Sequence, residues 1–524
     1  MQKDQPKAYI LTKSNPNDIQ KSSVFASKMI CDMIKTCLGP RAMQKMVLTK
    51  INSVEMTNDG NNILRELDIG HPVAKCLIEL SQTQDDECGD GTTSVIILTT
   101  ELLEKMIKLL DNTHPIKICK QLNVIKKQIL EFIESIVIHK TNDSNEMLNI
   151  VKGSVSTKLC SIINVPIAEM ALTAALKIKN LNEVIICDIK NNIKIEKIIG
   201  DFQQSMVVDG IIVEKEIIHP QMPKTLNNPK ILMLDCNLEY KKGESIMNIE
   251  IDNTEDFTKI LKHEEEQIKT TMECILKVNP NLVLCEKGVS DLAYSILAEH
   301  KITCLRRFKK TDMIRIAKAT GSTIINCIDD IKPEHLGSCG IFECKKLGQV
   351  FYSFFTQCKS PKAISVIISG PTKDLCNELE RNFTDAIKIA KNLITDSRIL
   401  PGGGATEMAI SVFCSQLTKN NLNCEVLKEV SEAFKIIPKI LLINSGISNP
   451  LDNLNKLFIN QLKTNNYKLG VNGISGNIED VSNTINEPFI VKSQCYKSAF
   501  DSVIQFLRIN GIIECITPTN NTEE

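Results

Sequence analysis

The chain has 524 residues, 43% hydrophobic and 24% charged, which makes it globular but too long for a single ordinary core; at about 150 residues per domain it suggests roughly three domains. Its 62 basic residues against 63 acidic ones leave a net charge of −1, so no strong overall field draws in nucleic acid or an anionic membrane. The longest apolar stretches, such as Phe434–Ile447 with Lys435, Pro438 and Lys439 inside it, fall short of the roughly 18–20 residues that a spanning helix needs.

The amino terminus is polar, with Lys3, Asp4 and Lys7, and shows no signal-peptide core, so a soluble intracellular protein is expected. Val24, Met29, Met33 and Cys37, flanked by Phe25, Ile30 and Ile34, predict a helix with one apolar face, stopped by Gly39-Pro40. The first 150 residues read mainly as helix, including one that follows residue 94 and one over roughly Pro115–Val137. Between about Val184 and Ser369, the β-like runs Ile231–Leu234, Leu282–Cys285 and Val366–Ile368 alternate with helical segments such as Asp291–Glu299 and Asp312–Thr320. That alternation predicts an inserted α/β domain. After Pro371, a stripe of Leu375, Leu379, Phe383, Ala386, Ala390 and Leu393 predicts a long helix, and another begins at Ala405. The carboxy-terminal part is again largely helical apart from Gly470–Gly476, and Pro518–Glu524 reads as a loose tail. Helical sections at both ends around an α/β insert predict a discontinuous outer domain.

The 20 cysteines are scattered, with Cys339 and Cys344 the nearest pair and no CxxC or Cys/His cluster, which argues against disulfides and structural zinc. Cysteines within apolar runs, such as Cys187 and Cys285, read as small buried hydrophobes.

Chemistry concentrates in four glycine-plus-polar segments: Leu38-Gly39-Pro40, Thr57-Asn58-Asp59-Gly60, Gly89–Ser94 (GDGTTS) and Gly402–Gly404. In the third, three hydroxyl residues open a helix, where backbone N–H groups and the helix dipole suit phosphate oxygens. Asp90 is placed to hold a divalent cation, since Mg²⁺ takes one or two carboxylates plus phosphates. The same residues also suit an Asp-Gly turn with ordinary N-capping, as Asn58-Asp59-Gly60 suits a tight turn.

In combination these segments resemble the group II chaperonins, and among them the gamma-type subunits of the eukaryotic cytosolic chaperonin. The carriers are Thr36–Leu48 (TCLGPRAMQKMVL), Met56–Lys75 (MTNDGNNILRELDIGHPVAK), Gly89–Leu98 (GDGTTSVIIL), Pro401–Met408 (PGGGATEM), Gly470–Gly476 (GVNGISG) and Glu487–Lys492 (EPFIVK). Leu238–Ser245 (LEYKKGES) and Arg306–Ala317 (RRFKKTDMIRIA) carry the gamma likeness. The resemblance implies a multidomain α/β chaperonin fold: a mainly helical, discontinuous equatorial domain at 1–147 and 403–524, a small intermediate domain at 148–214 and 370–402, and an inserted α/β apical domain at 215–369. The apical domain would carry a helical protrusion over Tyr240–Lys269, where Phe257, Ile260 and Leu261 alone suggest an ordinary surface helix.

The same resemblance implies ATP and Mg²⁺ as ligands, with Asp90 on the metal. Leu38, Gly39, Pro40, Gly91, Thr92, Thr93, Ser94, Ser156, Thr157 and Gly403 would contact nucleotide, with Asn472 and Gly473 near the base and Glu487 and Lys492 near the ribose. Asp59 and Asp385 would be catalytic for hydrolysis; apart from the resemblance, Asp385 reads as a solvated helix aspartate beside the apolar stripe. An intermediate-domain Asp385 would make hydrolysis wait for hinge closure. The implied partners are paralogous subunits in two stacked eight-membered rings of the eukaryotic cytosol, and unfolded clients such as actin and tubulin, with no nucleic acid or membrane. The rival readings are a stand-alone Mg-dependent phosphotransferase and an ATPase-inactive scaffold; intact Asp59, Asp90 and Asp385 argue against the second.

Overall fold

In a computed structural model, residues 8–9, 16–48, 54–67, 69–138, 143–179, 189–217, 219–240, 254–359, 361–420, 425–482, 484–512 and 514–515 are described. The expected tail Pro518–Glu524, Cys187 and the 241–245 part of the gamma-like stretch lie outside them. The chain forms two compact units, one of Met1–Ala168 with Asn382–Glu524 and the other of Glu169–Arg381.

The first unit is helical, and its centre is the helix Thr92–Ile107. Val95, Ile96, Ile97, Leu98, Leu102, Leu103 and Met106 on it are at most 1% exposed, so this helix is apolar nearly all round, as a fully surrounded helix must be. Helices Pro16–Ile34, Pro72–Cys88, Glu425–Phe434 and Phe489–Leu507 pack around it. Aromatic contacts lock the outer layers: Phe434 meets Tyr496 edge-on at 5.5 Å, and Phe132 stacks on Phe413 at 4.1 Å. The helix Pro72–Cys88 shows how local sequence sets an element, with Pro72 in its first turn, His71 capping Val73 N–H, and Gly89 closing it in the left-handed conformation at φ 71°.

The first predicted helix differs from expectation. It runs Pro16–Ile34 and then tightens into a 3₁₀ turn, Lys35–Cys37, so its faces do not carry through to Cys37 as one stripe. Ile30 and Ile34 enter the core, whereas Phe25, Met29 and Met33 are exposed. The mainly helical first 150 residues also contain an antiparallel hairpin, Lys45–Leu48 with Val54–Thr57, which the helical reading did not anticipate. Predicted helices Pro115–Val137 and that beginning at Ala405 appear as Pro115–Ile136 and Ala405–Asn420.

The second unit is α/β. Parallel strands Thr303–Leu305, Leu282–Cys285, Lys230–Leu234 and Ile324–Ile325 lie in that order, with Gly337–Ser338 antiparallel to Lys230–Leu234. Leu282, Val283, Leu284 and Cys285 are all 0% exposed, because a parallel strand covered on both faces reads as an unbroken apolar run. An antiparallel sheet of Gly210–Val213, Val350–Thr356, Ile341–Leu347 and Thr225–Asn227 and a smaller sheet built on Ile364–Gly370 complete the unit. The helix Thr254–Lys277 covers the later part of the expected protrusion; Ile268, Met272 and Ile275 anchor its second half in the core, and the side chains of Phe257, Ile260 and Leu261 lie outside the described residues.

The long helix predicted after Pro371 spans Lys373–Thr395. Leu379, Phe383, Ala386, Ala390 and Leu393 are buried as the stripe requires, and Leu375 is half-buried at the helix start.

Candidate functional site

A cavity of about 570 Å³ opens in the first unit, and all its lining residues belong to that unit. Every residue singled out from the sequence borders it: Leu38, Gly39, Pro40, Asp59, Asp90, Gly91, Thr92, Thr93, Ser94, Ser156, Thr157, Asp385, Gly403, Asn472, Gly473, Glu487 and Lys492.

The floor is the amino terminus of Thr92–Ile107. Gly91 is its N-cap, in the left-handed conformation at φ 80°, and supplies no side-chain acceptor for the first-turn N–H groups. Those donors, with the Thr92 and Thr93 hydroxyls, form a ready anion cradle. Asp90 accepts a 2.7 Å hydrogen bond from Gly91 N–H, and its backbone carbonyl accepts from Gln84 Nε2 at 3.1 Å. Burial raises the Asp90 carboxyl, against the Gly91 hydrogen bond and the nearby Lys158 and Lys492 charges. A half-buried carboxylate beside the first-turn N–H groups of a helix suits one Mg²⁺ on a polyphosphate, the cation balancing the charge that desolvation disfavours.

On one wall, Asp59 caps the helix Gly60–Glu66, accepting from Asn61 N–H at 3.4 Å. Asn58 Nδ2 donates to Thr157 O at 2.7 Å, which ties the Ser156–Thr157 loop to the site. The Leu38–Pro40 turn is held from behind by Asn444 Nδ2, which donates to Leu38 O at 2.8 Å and Lys35 O at 3.0 Å. Opposite, Gly403 accepts from Val471 N–H at 2.9 Å; a Cβ at Gly403 would lie 2.7 Å from Val471 O, so only glycine permits this approach. Asn472 Oδ1 is occupied by Ile474 N–H at 3.0 Å, so its contribution to a ligand falls to the surrounding loop as much as to its amide.

Asp385 enters from Lys373–Thr395 and pairs with Lys158, a residue the sequence reading passed over. Burial pushes the Asp385 carboxyl up to about 7; Lys158 opposes the shift, while Asp59 and Asp85 add to it. Burial acts to lower the Lys158 ammonium, but Asp385, Asp59 and Asp90 outweigh it and hold it well above the usual lysine range. Lys492, on Phe489–Leu507, bridges Glu487 Oε2 at 3.0 Å and the fully buried Glu407, whose Oε1 also accepts from Tyr496 OH at 2.8 Å. Burial lifts Glu487 to about 7 against the pull of Lys492. Glu407 stood inside the PGGGATEM motif without an assigned part, and a carboxylate in an apolar helix face is the signal that marks it. Asp85 and Lys158 carry no comparable local signature.

A helix amino terminus with hydroxyl side chains, a nearby carboxylate and an acid with a displaced pKa share one chamber, an arrangement that suits a phosphate ester. The sequence profile of the TCP-1/cpn60 chaperonin family matches residues 30–517. The chain belongs to that family, and its fold is the multidomain α/β chaperonin fold. It is 49% identical over 521 residues to the T-complex protein 1 subunit gamma of Encephalitozoon cuniculi, covering 98% of this chain and 99% of the relative. Identity to the T-complex protein 1 subunit gamma of Schizosaccharomyces pombe is 40% over 502 residues, covering 94% and 95% of the two chains. For the Bos taurus subunit of the same name it is 39% over 505 residues, covering 94% and 92%.

Proposed function

We propose that this chain binds ATP with Mg²⁺ in the cavity and hydrolyses it as a gamma-type subunit of a hetero-oligomeric, double-ring cytosolic chaperonin that encloses unfolded clients, actin and tubulin among them. The division into equatorial (1–147 and 403–524), intermediate (148–214 and 370–402) and apical (215–369) domains, with eight paralogous subunits per ring, belongs to this proposal. The observation that supports it most is that Asp385, on a helix reached only after the α/β insert, lines the same cavity as Asp90 and the Thr92–Ile107 amino terminus.

In this reading the helix N–H groups and the Thr92, Thr93 and Ser94 hydroxyls hold the phosphates, and Glu487 receives the ribose. Asp385 and Asp59 orient and polarise the attacking water, since a loose phosphoryl-transfer transition state needs positioning and charge neutralisation above all. Bound Mg²⁺ supplies that neutralisation at the phosphate oxygens. Movement of the helix bearing Asp385 with the client-enclosing domain would couple hydrolysis to closure, each nucleotide state favouring one arrangement.

Native mass measurement with identification of co-purifying chains tests the assembly: a ring-sized particle with paralogous subunits is expected, and ATPase confined to a monomer-mass peak sinks it. The hydrolytic role has a pH signature. Asp385 accepts a proton only when ionised, and its raised pKa of about 7 places that change near neutrality. Single-turnover hydrolysis in this chain therefore rises with pH through about 7. Lys158→Met removes the charge that favours ionisation and moves the rise to higher pH; a profile unchanged by that substitution removes Lys158 from control of Asp385.

A further inference from the structure

Lys388 lies three residues beyond Asp385 on Lys373–Thr395, with only 16% of its side chain exposed. It does not line the cavity, but Asp85 does. The Lys388 ammonium donates to Asp85 Oδ1 at 2.9 Å and to the Asp85 backbone carbonyl at 2.8 Å. The other Asp85 oxygen accepts from Asn61 Nδ2 at 2.8 Å, and Asn61 is 1% exposed. Asn61 in turn gives its backbone N–H to Asp59. One turn past Lys388, Asn392 Nδ2 donates to Cys88 O at 2.9 Å. The Lys388 stem also lies over Gly89, where an added Cβ would come within 2.5 Å of Lys388 Cβ.

Two side chains four residues apart, on one helix face, thus fasten the Asp385 helix to the end of Pro72–Cys88, immediately before Asp90. The contact chain Lys388–Asp85–Asn61 joins the three segments that carry Asp385, Asp90 and Asp59. Resting on the hydrolytic reading above, we propose that Lys388 is a positioning residue: through Asp85 and Asn61 it fixes the mutual placement of Asp385, Asp90 and Asp59 without touching the reacting atoms. A charge-assisted pair in a largely buried place is strong and directional enough to do this. A displacement of about 1 Å among groups that must act together costs up to about 10²-fold in rate.

The test uses the assembled complex with this chain as its only copy of the subunit, carrying K388M, K388R or D85N/K388M. Photo-crosslinked 8-azido-ATP, labelled in parallel at the α- and γ-phosphate, reads this pocket alone: α-label gives occupancy, and loss of γ-label gives hydrolysis. Wild type is expected to lose γ-label. K388M should keep occupancy within about twofold and lose γ-label about 10–100 times more slowly. K388R, which keeps the charge on Asp85, should recover most of the rate. D85N/K388M buries no lone carboxylate, so it should recover the thermal midpoint lost in K388M but not the rate, and it carries the rate test should K388M fail to assemble. Wild-type hydrolysis in K388M overturns the inference. So does a K388R rate as low as that of K388M, or recovery of rate and midpoint together in the double variant, which would leave Lys388 only the task of neutralising Asp85. A wild-type chain that takes up α-label and keeps its γ-label refutes hydrolysis itself, whatever the Lys388 variants do.

Discussion

If Asp385 is hydrolytic as proposed, replacing it by Ala should leave nucleotide bound in this chain and slow its hydrolysis by about 10²–10⁴-fold, the range expected for loss of one positioned acid–base group. The direction follows from the geometry. Asp385 stands on the cavity wall, paired with Lys158, while the proposed phosphate cradle is the Thr92–Ile107 amino terminus. Removing it takes away an orienting group for water but no phosphate donor. It also leaves the Lys158 ammonium buried among Asp59 and Asp90, where it becomes an additional cation for the phosphates. Occupancy should therefore hold or rise while turnover falls, and the γ-to-α label ratio on the crosslinked chain separates the two. Loss of both labels in equal measure would instead make Asp385 a binding residue. Asp59→Ala should have the smaller separation, because Asp59 also caps Gly60–Glu66 and its loss disturbs the helix that carries Asn61.

The parts of the molecule that announced themselves in the sequence are those where one local rule suffices. Leu282–Cys285 is a four-residue apolar run and became a strand buried on both faces; Asp291–Glu299 has its capping Ser290 and became a helix with those ends. The hairpin at Lys45–Leu48 and Val54–Thr57 is illegible in the sequence because its outward-facing Met46, Leu48, Val54 and Met56 are apolar, so hydrophobicity does not follow the alternation of exposure along Lys45–Leu48. On the first helix the apolar residues are spread over more than the buried face, so Ile30 and Ile34 enter the core while Phe25, Met29 and Met33, apolar as well, lie on the surface.

The candidate site divides in the same way. Gly-Asp-Gly-Thr-Thr-Ser at a helix start brings together, within six adjacent residues, the groups from which a phosphate site is expected. Its association with Asp385 and Glu487, hundreds of residues away, came from the family resemblance, since no spacing rule connects them. Lys158, Asp85, Lys388 and Glu407 act through partners distant in the chain, and pairing of that kind is visible only after folding. Lys158 and Asp385, for example, are 227 positions apart.

Lys492→Met should be among the most destabilising single changes in the first unit, costing about 3–5 kcal/mol, because breaking a buried ion pair leaves an uncompensated charge. Three groups meet there: Lys492 at 8% side-chain exposure, Glu407 at 1% and Glu487 at 29%. Both carboxylates use the one ammonium, Glu407 through Oε1, while Glu407 Oε2 has no hydrogen-bond partner among the described residues. With methionine in place, two acids face each other, one buried and one at the cavity edge, and uptake of a proton by either relieves their repulsion. Stability of K492M should consequently improve as pH falls, and from a pH above the value of about 7 that Glu487 has while Lys492 opposes the effect of burial. The sign is that of carboxyls raised in the folded state: the folded form binds more protons, so stability is greatest below the unfolded pKa and falls as pH rises through the folded one. Glu407→Gln is the contrasting change. It keeps the volume and hydrogen-bonding capacity toward Lys492 and Tyr496 and leaves Lys492 matched one-to-one with Glu487, so its cost should be well under that of K492M. Thermal unfolding of the assembled complex, with hydrogen exchange along Phe489–Leu507, measures both. If Glu407→Gln unfolds that helix as readily as Lys492→Met does, Glu407 is held by shape and hydrogen bonds and the shared ammonium is not what secures the Glu487 side of the cavity.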